Sequence, residues 1–385
     1  MKTTHLDNNP IAASGKTVIL TLTIAAAMAA FGTAAPRAEA TPPSLHVSGN
    51  RLVDDWGNAV FLKGANLSSL EFTDTPDRLR ESAAALLGGN WNARIIRLPI
   101  SQDRWEGFGV ANKAAYRQYV YDIVRAASNA NAYVILDLHW SDLGVWGANY
   151  DQHNMPDDNT TSAWQDISHD PQLSGNPAVF FGLYNEPHDV SWDIWLSGGL
   201  VTTETYQGGS VQYHTPGMQS LVNTVRAQAY AGGPRASDNV LVIAGLDYAY
   251  DLTAVANGTH TPQDPGGRGI IYDAHIYPFI NNPNKPQYAV TSYWDKFVTV
   301  EASHAPIFIG EYGTNDFGES PDGKTFVEGV QNWAASHARS GGFCGTTAWT
   351  FNPQGNAGYL ITDTYSFNPT QYMGYAVQYF INHGN

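Results

Sequence analysis

A single cysteine, Cys344, stands among 385 residues. An internal disulfide framework and any multi-cysteine metal site are therefore excluded, and a lone thiol beside an apolar run reads as buried and unreactive. Charge is scarce as well. Asp, Glu, Lys and Arg make up 14% of the chain, against roughly 25% in an average soluble protein. With 43% hydrophobic residues, there is material for a large core and too little charge to keep the chain expanded. Basic charge is the scarcer sign: 20 Lys and Arg face 35 Asp and Glu, a formal net charge of −15. That balance argues against nucleic acid as a partner, because such binding rests on basic neutralisation of phosphates. No repeat of 20–50 residues recurs. No His-x-His offers a clustered metal site, and no Gly-x-Gly-x-x-Gly follows the first strand-like run. Aromatics go the other way. Eleven Trp, 21 Tyr and 15 Phe exceed what a core needs and suit a site that stacks on flat, apolar ligand faces.

Only one long apolar run occurs, over residues 17–31, preceded by Lys2 and Lys16 and followed by the small-x-small triplet Ala38-Glu-Ala40. This order predicts a secretory signal peptide over residues 1–40, cleaved after Ala40. As a membrane anchor the run is diluted by Thr and Ala and falls short of the ~20 apolar residues of a span. The expected mature protein, residues 41–385, is secreted, extracellular, monomeric and free of the membrane.

Beyond residue 41 apolar strand-like runs alternate with amphipathic helical patterns. Residues 45–54 read as a short hairpin around Gly49-Asn50. Eight further runs follow, at 60–65, 93–98, 132–138, 178–184, 239–244, 269–274, 306–310 and 346–350. Between them, Tyr116, Val120, Ile123, Val124 and Ala127 share one helical face, as do Met218, Leu221, Val222 and Val225, and again Phe326, Val330 and Trp333. Continuous apolar strands alternating with such helices mean a parallel sheet covered by helices. Eight units favour a single α/β domain, a closed (β/α)8 TIM barrel with a short N-terminal β-hairpin, over an open doubly wound sheet.

In such a barrel the chemistry sits just past the C-terminal strand ends. There the chain places Asn66, Arg97, His139-Trp140, Asn185-Glu186, His275, Tyr277, Glu311 and Trp349. Two carboxylates, Glu186 and Glu311, within a rosette of Arg, Asn, His, Tyr and Trp form an inventory for acid/base glycoside chemistry. One must protonate the leaving oxygen. The other must stay ionised, either to attack or to activate water. Asn90-Trp-Asn-Ala-Arg-Ile-Ile-Arg-Leu-Pro99, Val134-Ile-Leu-Asp-Leu-His139, Tyr184-Asn-Glu-Pro187, Asp273-Ala-His-Ile-Tyr277 and Ile309-Gly-Glu-Tyr-Gly313, in this order, resemble the cellulase family known as glycoside hydrolase family 5. The resemblance covers about residues 45–355.

That resemblance implies a role for each matched residue. Glu186 stands where the family has its general acid/base and Glu311 where it has its nucleophile. Asn185 matches the residue that bonds the sugar 2-hydroxyl, and Arg97 the arginine that keeps the nucleophile ionised. His139 and His275 match the site histidines, Tyr277 the tyrosine beside the nucleophile, and Trp349 the platform under the sugar. Trp140, Trp146 and Trp192 are further candidate platforms. Residues 151–159 read as a solvated loop, because they lack the glycine and terminal Glu of a calcium loop. No metal and no cofactor is expected. The implied activity is retaining, internal cleavage of a β-1,4-linked glucan, a polysaccharide partner. Mannan, xyloglucan or β-1,3-glucan as substrate, or a non-catalytic sugar-binding barrel, stay open. The long segments 141–159 and 191–209 leave preference undecided.

Overall fold

The computed structural model describes residues 41–204, 209–227, 238–279, 281–282, 286–298, 304–354 and 358–383. The expected signal peptide lies outside them. The chain opens with an antiparallel hairpin, β1 (Leu45–Ser48) and β2 (Arg51–Asp54). Its turn uses Gly49 at φ 60, a conformation glycine adopts without steric cost. Eight parallel strands then close on themselves: β3 (Leu62–Asn66), β4 (Ile95–Ser101), β5 (Tyr133–Trp140), β6 (Val179–Gly182), then, past a second hairpin, β9 (Leu241–Ala244), β10 (Ile270–Ile276), β11 (Ile307–Tyr312) and β12 (Phe343–Ala348). β12 pairs back onto β3, Gly345 opposite Leu62 and Ala348 opposite Ala65. The (β/α)8 expectation is met.

The barrel buries two separate sets of side chains. Inside, Leu62, Ile95, Tyr133, Ile135, Phe180, Val242, Ile271 and Phe308 fill the lower layer, and Leu45 and Leu52 of the hairpin join them. Val47 also donates its N–H to Arg268 just before β10, at 2.8 Å, so the hairpin plugs the N-terminal mouth. Outside, the strands bury their other faces under helices. The helix Lys113–Asn129 is started by Asn112, whose side chain accepts from Ala115 N at 3.1 Å, and it turns Tyr116, Val120, Ile123, Val124 and Ala127 inward. Each of these valine and isoleucine side chains contributes about 1.5–3 kcal/mol on full burial. Cys344 lies in the interior layer and donates its thiol to Ile307 O at 3.3 Å. Burial pushes that thiol far above its ordinary range.

Three stretches differ from expectation. The last strand begins at Phe343 rather than at 346, because Gly345 belongs to it: a side chain there would strike Leu62 O at 2.4 Å. Residues 191–209 are no plain loop. They form the helix Trp192–Ser197 and β7 (Gly199–Glu204), which pairs with β8 (Ser210–Thr215) and buries Val201 against Tyr213. Residues 151–159 are solvated only in part, with Asp151 and Asp158 exposed. Asn154, Met155 and Asp157 are buried. Asp157 caps the helix Asp158–His169 by accepting from Thr160 N, while Thr160 Oγ1 accepts from Asp157 N, a capping box. Among the described residues no helix is long and apolar enough to cross a membrane.

Candidate active site

The two-residue period of a strand builds the site directly above the apolar layer. Ile95 points into the barrel, and so does Arg97. Ile135 is followed inward by Asp137 and His139, and Ile271 by Asp273 and His275. β11 breaks the period. Ala274 pairs with Ile309 but His275 with Glu311, so one extra residue, Gly310, bulges out of register and lifts Glu311 level with His275. Only glycine serves there, since a Cβ would lie 2.2 Å from Asp273 Oδ2. The freed backbone is fully used: Gly310 N donates to Asp273 Oδ1 at 2.6 Å, and Gly310 O accepts from Asn66 Nδ2 at 2.8 Å and Thr347 Oγ1 at 2.6 Å.

Arg97, 1% exposed, ties the layer together. Its Nη1 donates to Glu311 Oε1 at 2.6 Å and to Asn66 Oδ1 at 2.9 Å. Its Nη2 donates to Asn185 Oδ1 at 2.6 Å and lies 3.1 Å from Asp137 Oδ2. Burial alone would lower this guanidinium, but Asp137, Glu311 and Asp273 around it hold it firmly charged. Tyr277 donates its hydroxyl to the second oxygen of Glu311 at 2.7 Å, and burial beside that carboxylate pushes the phenol well above its usual range.

Glu186 follows β6 by four residues, at φ 45 and ahead of Pro187. This backbone state is sparsely populated by residues bearing a Cβ. His275 Nδ1 reaches its Oε1 at 2.7 Å, and Gln152 Nε2 donates to its Oε2. Burial would raise the Glu186 carboxyl, yet the bond and charge of His275, with Gln152 behind them, hold it down to about 2. Burial would likewise lower His275, but Glu311, Asp273 and Glu186 push it up to about 10. His139 is raised for the same reason, its Nδ1 bonded to Asp137 Oδ2 at 2.7 Å. Four carboxylates thus surround one guanidinium, and the imidazoles supply the remaining positive charge.

Above this layer opens a groove of about 620 Å³ lined by Glu71, Phe72, His139, Trp140, Gln152 and Trp349, among others. Trp349 stacks on His139 with centroids 5.5 Å apart at 13°. Trp140 faces Phe72 and Tyr150 at 6.4 and 6.5 Å. Trp146 stacks on Phe108 at 5.3 Å and, like Trp192, is not among the groove's walls. Trp192 instead packs on Trp195 and His260, at 5.0 and 6.2 Å, and is not among the groove's walls. Glu71, 3% exposed, accepts from Ser69 N at 2.7 Å, and burial pushes its carboxyl up to about 7.

The structure therefore brings Arg97, His139, Asn185, Glu186, His275, Tyr277 and Glu311 into one network. Sequence reasoning missed four members of this layer and its groove. Asp137 and Asp273 each precede a site histidine by two residues on one strand face, a signal the spacing did contain. Gln152 and Glu71 ride on loops, where nothing marks them. Glu186, His275 and Glu311 also bring one ligand atom each within 4.8 Å of one another, a spacing open to a metal. However, Arg97 and Tyr277 already donate to both Glu311 oxygens.

Comparison with known proteins gives a consistent answer. Endoglucanase MaCel5A of Microbulbifer sp. (strain ALW1) is 29% identical over 150 residues, 39% of this chain and 27% of that protein. Endoglucanase E-5 of Thermobifida fusca is 28% identical over 151 residues, 38% and 29% of the two chains. The chain thus spans under a third of the length of these curated relatives. Among solved structures, β-glucanase SdGluc5_26A from Saccharophagus degradans, in complex with cellotetraose, shares the fold with a TM-score of 0.62 at 20% identity. That match covers 89% of this chain and 94% of the other. The cellulase family model, glycosyl hydrolase family 5, matches residues 53–355. A match of that extent, laid over a barrel whose strand ends carry this carboxylate network, makes the chain a member of glycosyl hydrolase family 5.

Proposed function

We propose that this protein is a secreted, monomeric endo-glycanase that cuts β-1,4 bonds of cellulose or a related β-glucan with retention of configuration, using no metal or organic cofactor. One observation carries the mechanism: an oxygen of Glu186 and an oxygen of Glu311 lie within 4.8 Å of each other. Retaining enzymes set their carboxyls about 5–5.5 Å apart, whereas inverting ones leave about 6.5–9.5 Å for a water. In this reading Glu311, oriented through both oxygens by Arg97 and Tyr277, attacks the anomeric carbon, and Glu186 protonates the departing oxygen. Glu186 then deprotonates the water that releases the sugar. Asn185 has its Oδ1 committed to Arg97, and its Nδ2, 3.4 Å from His139 Nε2, is the donor left for the sugar 2-hydroxyl. Trp349 carries the flat sugar face. The names of the relatives, endoglucanases and a β-glucanase, support the choice of β-glucan.

The two glutamates are separable by experiment. Glu311→Ala should form no glycosyl-enzyme on any substrate. Glu186→Ala should lose polysaccharide cleavage yet accumulate the intermediate from an activated aryl β-glucoside, which needs no proton to depart. Added azide should release that intermediate as the β-azide, and should give the α-azide with Glu311→Ala. Opposite stereochemistry, or an inverted first sugar from the unaltered chain, would reassign the roles.

A further inference from the structure

Both oxygens of Glu186 are occupied. Oε1 accepts from His275 and Oε2 from Gln152, and two N–H donors favour the carboxylate over the acid. Under the reading above, on which this inference rests, Glu186 must hold a proton facing the glycosidic oxygen. One donor has to give way. His275 is fully buried, its Nε2 3.5 Å from Asp273 and its Nδ1 3.8 Å from Glu311, so it has nowhere to retreat. Gln152 is half-buried and lines the groove.

The backbone that carries Gln152 is pinned on either side. Ser141 and Asp151 exchange both backbone hydrogen bonds, at 2.9 and 3.0 Å. Asp142 N donates to Asp157 Oδ2 at 3.0 Å, and the Tyr184 hydroxyl donates to His153 O at 2.9 Å. A change at Gln152 therefore needs only side-chain rotation into the groove, with the loop left in place.

We propose that Gln152 is a displaceable stopper on the acid. In the empty site it covers Oε2 and adds to the hold of His275 on the ionised form. An incoming glucan takes its place, and Oε2 then accepts a proton from solvent with a leaving oxygen already before it. Besides His275 and Gln152, the groups that face Glu186 are Glu311, Arg97, His139, Tyr248 and Tyr277. His188 holds its carbonyl, and Asp151 and His153 flank Gln152. Of these, Arg97 and Tyr277 direct their donors to Glu311.

The test is Gln152→Met in the full chain, equal in length but without a donor, with Gln152→Asn, whose amide is too short to reach, as a second variant. The expected result is a KM for cellotetraose lowered by up to about tenfold at unchanged kcat, since substrate no longer displaces a charge-assisted bond. In the empty enzyme the carbon-13 titration midpoint of the Glu186 carboxyl should rise by about one pH unit. A raised KM would make Gln152 a sugar contact, and a parallel fall in kcat would make it loop packing; either overturns the proposal. A chain that cuts no β-glucan removes the underlying reading, while an active chain with KM and midpoint unmoved in both variants removes the stopper alone.

Discussion

Glu71 allows a measurement that isolates one carboxyl. Its side chain is 3% exposed in the groove wall, and burial lifts it from an ordinary 4.5 to about 7, His139 pulling slightly the other way. The folded protein therefore binds a proton there that the unfolded chain releases, and stability falls as pH rises through this window. The contribution is whole below pH 4.5 and gone above about 7. At about 1.4 kcal/mol for each pH unit, the full change is about 3 kcal/mol, most of it between pH 5 and 8. Glu71→Gln keeps the shape and the neutral state at every pH. Urea unfolding of both proteins across pH 5–8 should show the variant gaining on the parent by about 2–3 kcal/mol. All other titrating groups cancel in the difference unless they touch Glu71. A gap that stays flat with pH would mean Glu71 is ionised throughout in the folded groove, and the burial argument would fail.

Two further outcomes follow from the site. Trp349→Ala should lower polysaccharide turnover at least tenfold while shifting the unfolding midpoint little, because on the proposed reading the half-buried indole serves a sugar face more than the core; unchanged turnover would return it to packing. Exhaustive chelation should leave turnover unchanged, because both oxygens of Glu311 and of Glu186 already accept from protein donors; an enzyme silenced by chelator and revived by zinc or manganese would overturn that.

The barrel was legible because parallel strands buried on both faces read as unbroken apolar runs, and runs such as 132–138 lie within a residue or two of the strand they become. The last run was misplaced by three residues because Gly345 looks like a turn until the neighbouring strand is present. The glutamates, Arg97 and the histidines were legible for the same reason that the strands were: each ends an apolar run. Gln152 was not. Its importance comes from a bridge between Ser141 and Asp151 and a helix cap at Asp157, contacts that fold 151–159 back over the groove and leave no periodic trace. The β7–β8 hairpin was hidden in the same way, since its Thr-rich, half-exposed strands carry little apolar signal.

The hairpin under the barrel makes the barrel a cup with a floor. Leu45 and Leu52 pack into the lower end, so the charged layer faces solvent through the groove at the rim. On the proposed reading, a polymer lying across that rim covers much of this opening. The water that would finish such a reaction would then arrive through the half of the groove vacated by the first product, on the side of Glu186, the proposed base. Departure of one fragment and entry of water would be consecutive uses of one opening, and a product that lingered there would delay the second half of the cycle without touching a catalytic atom.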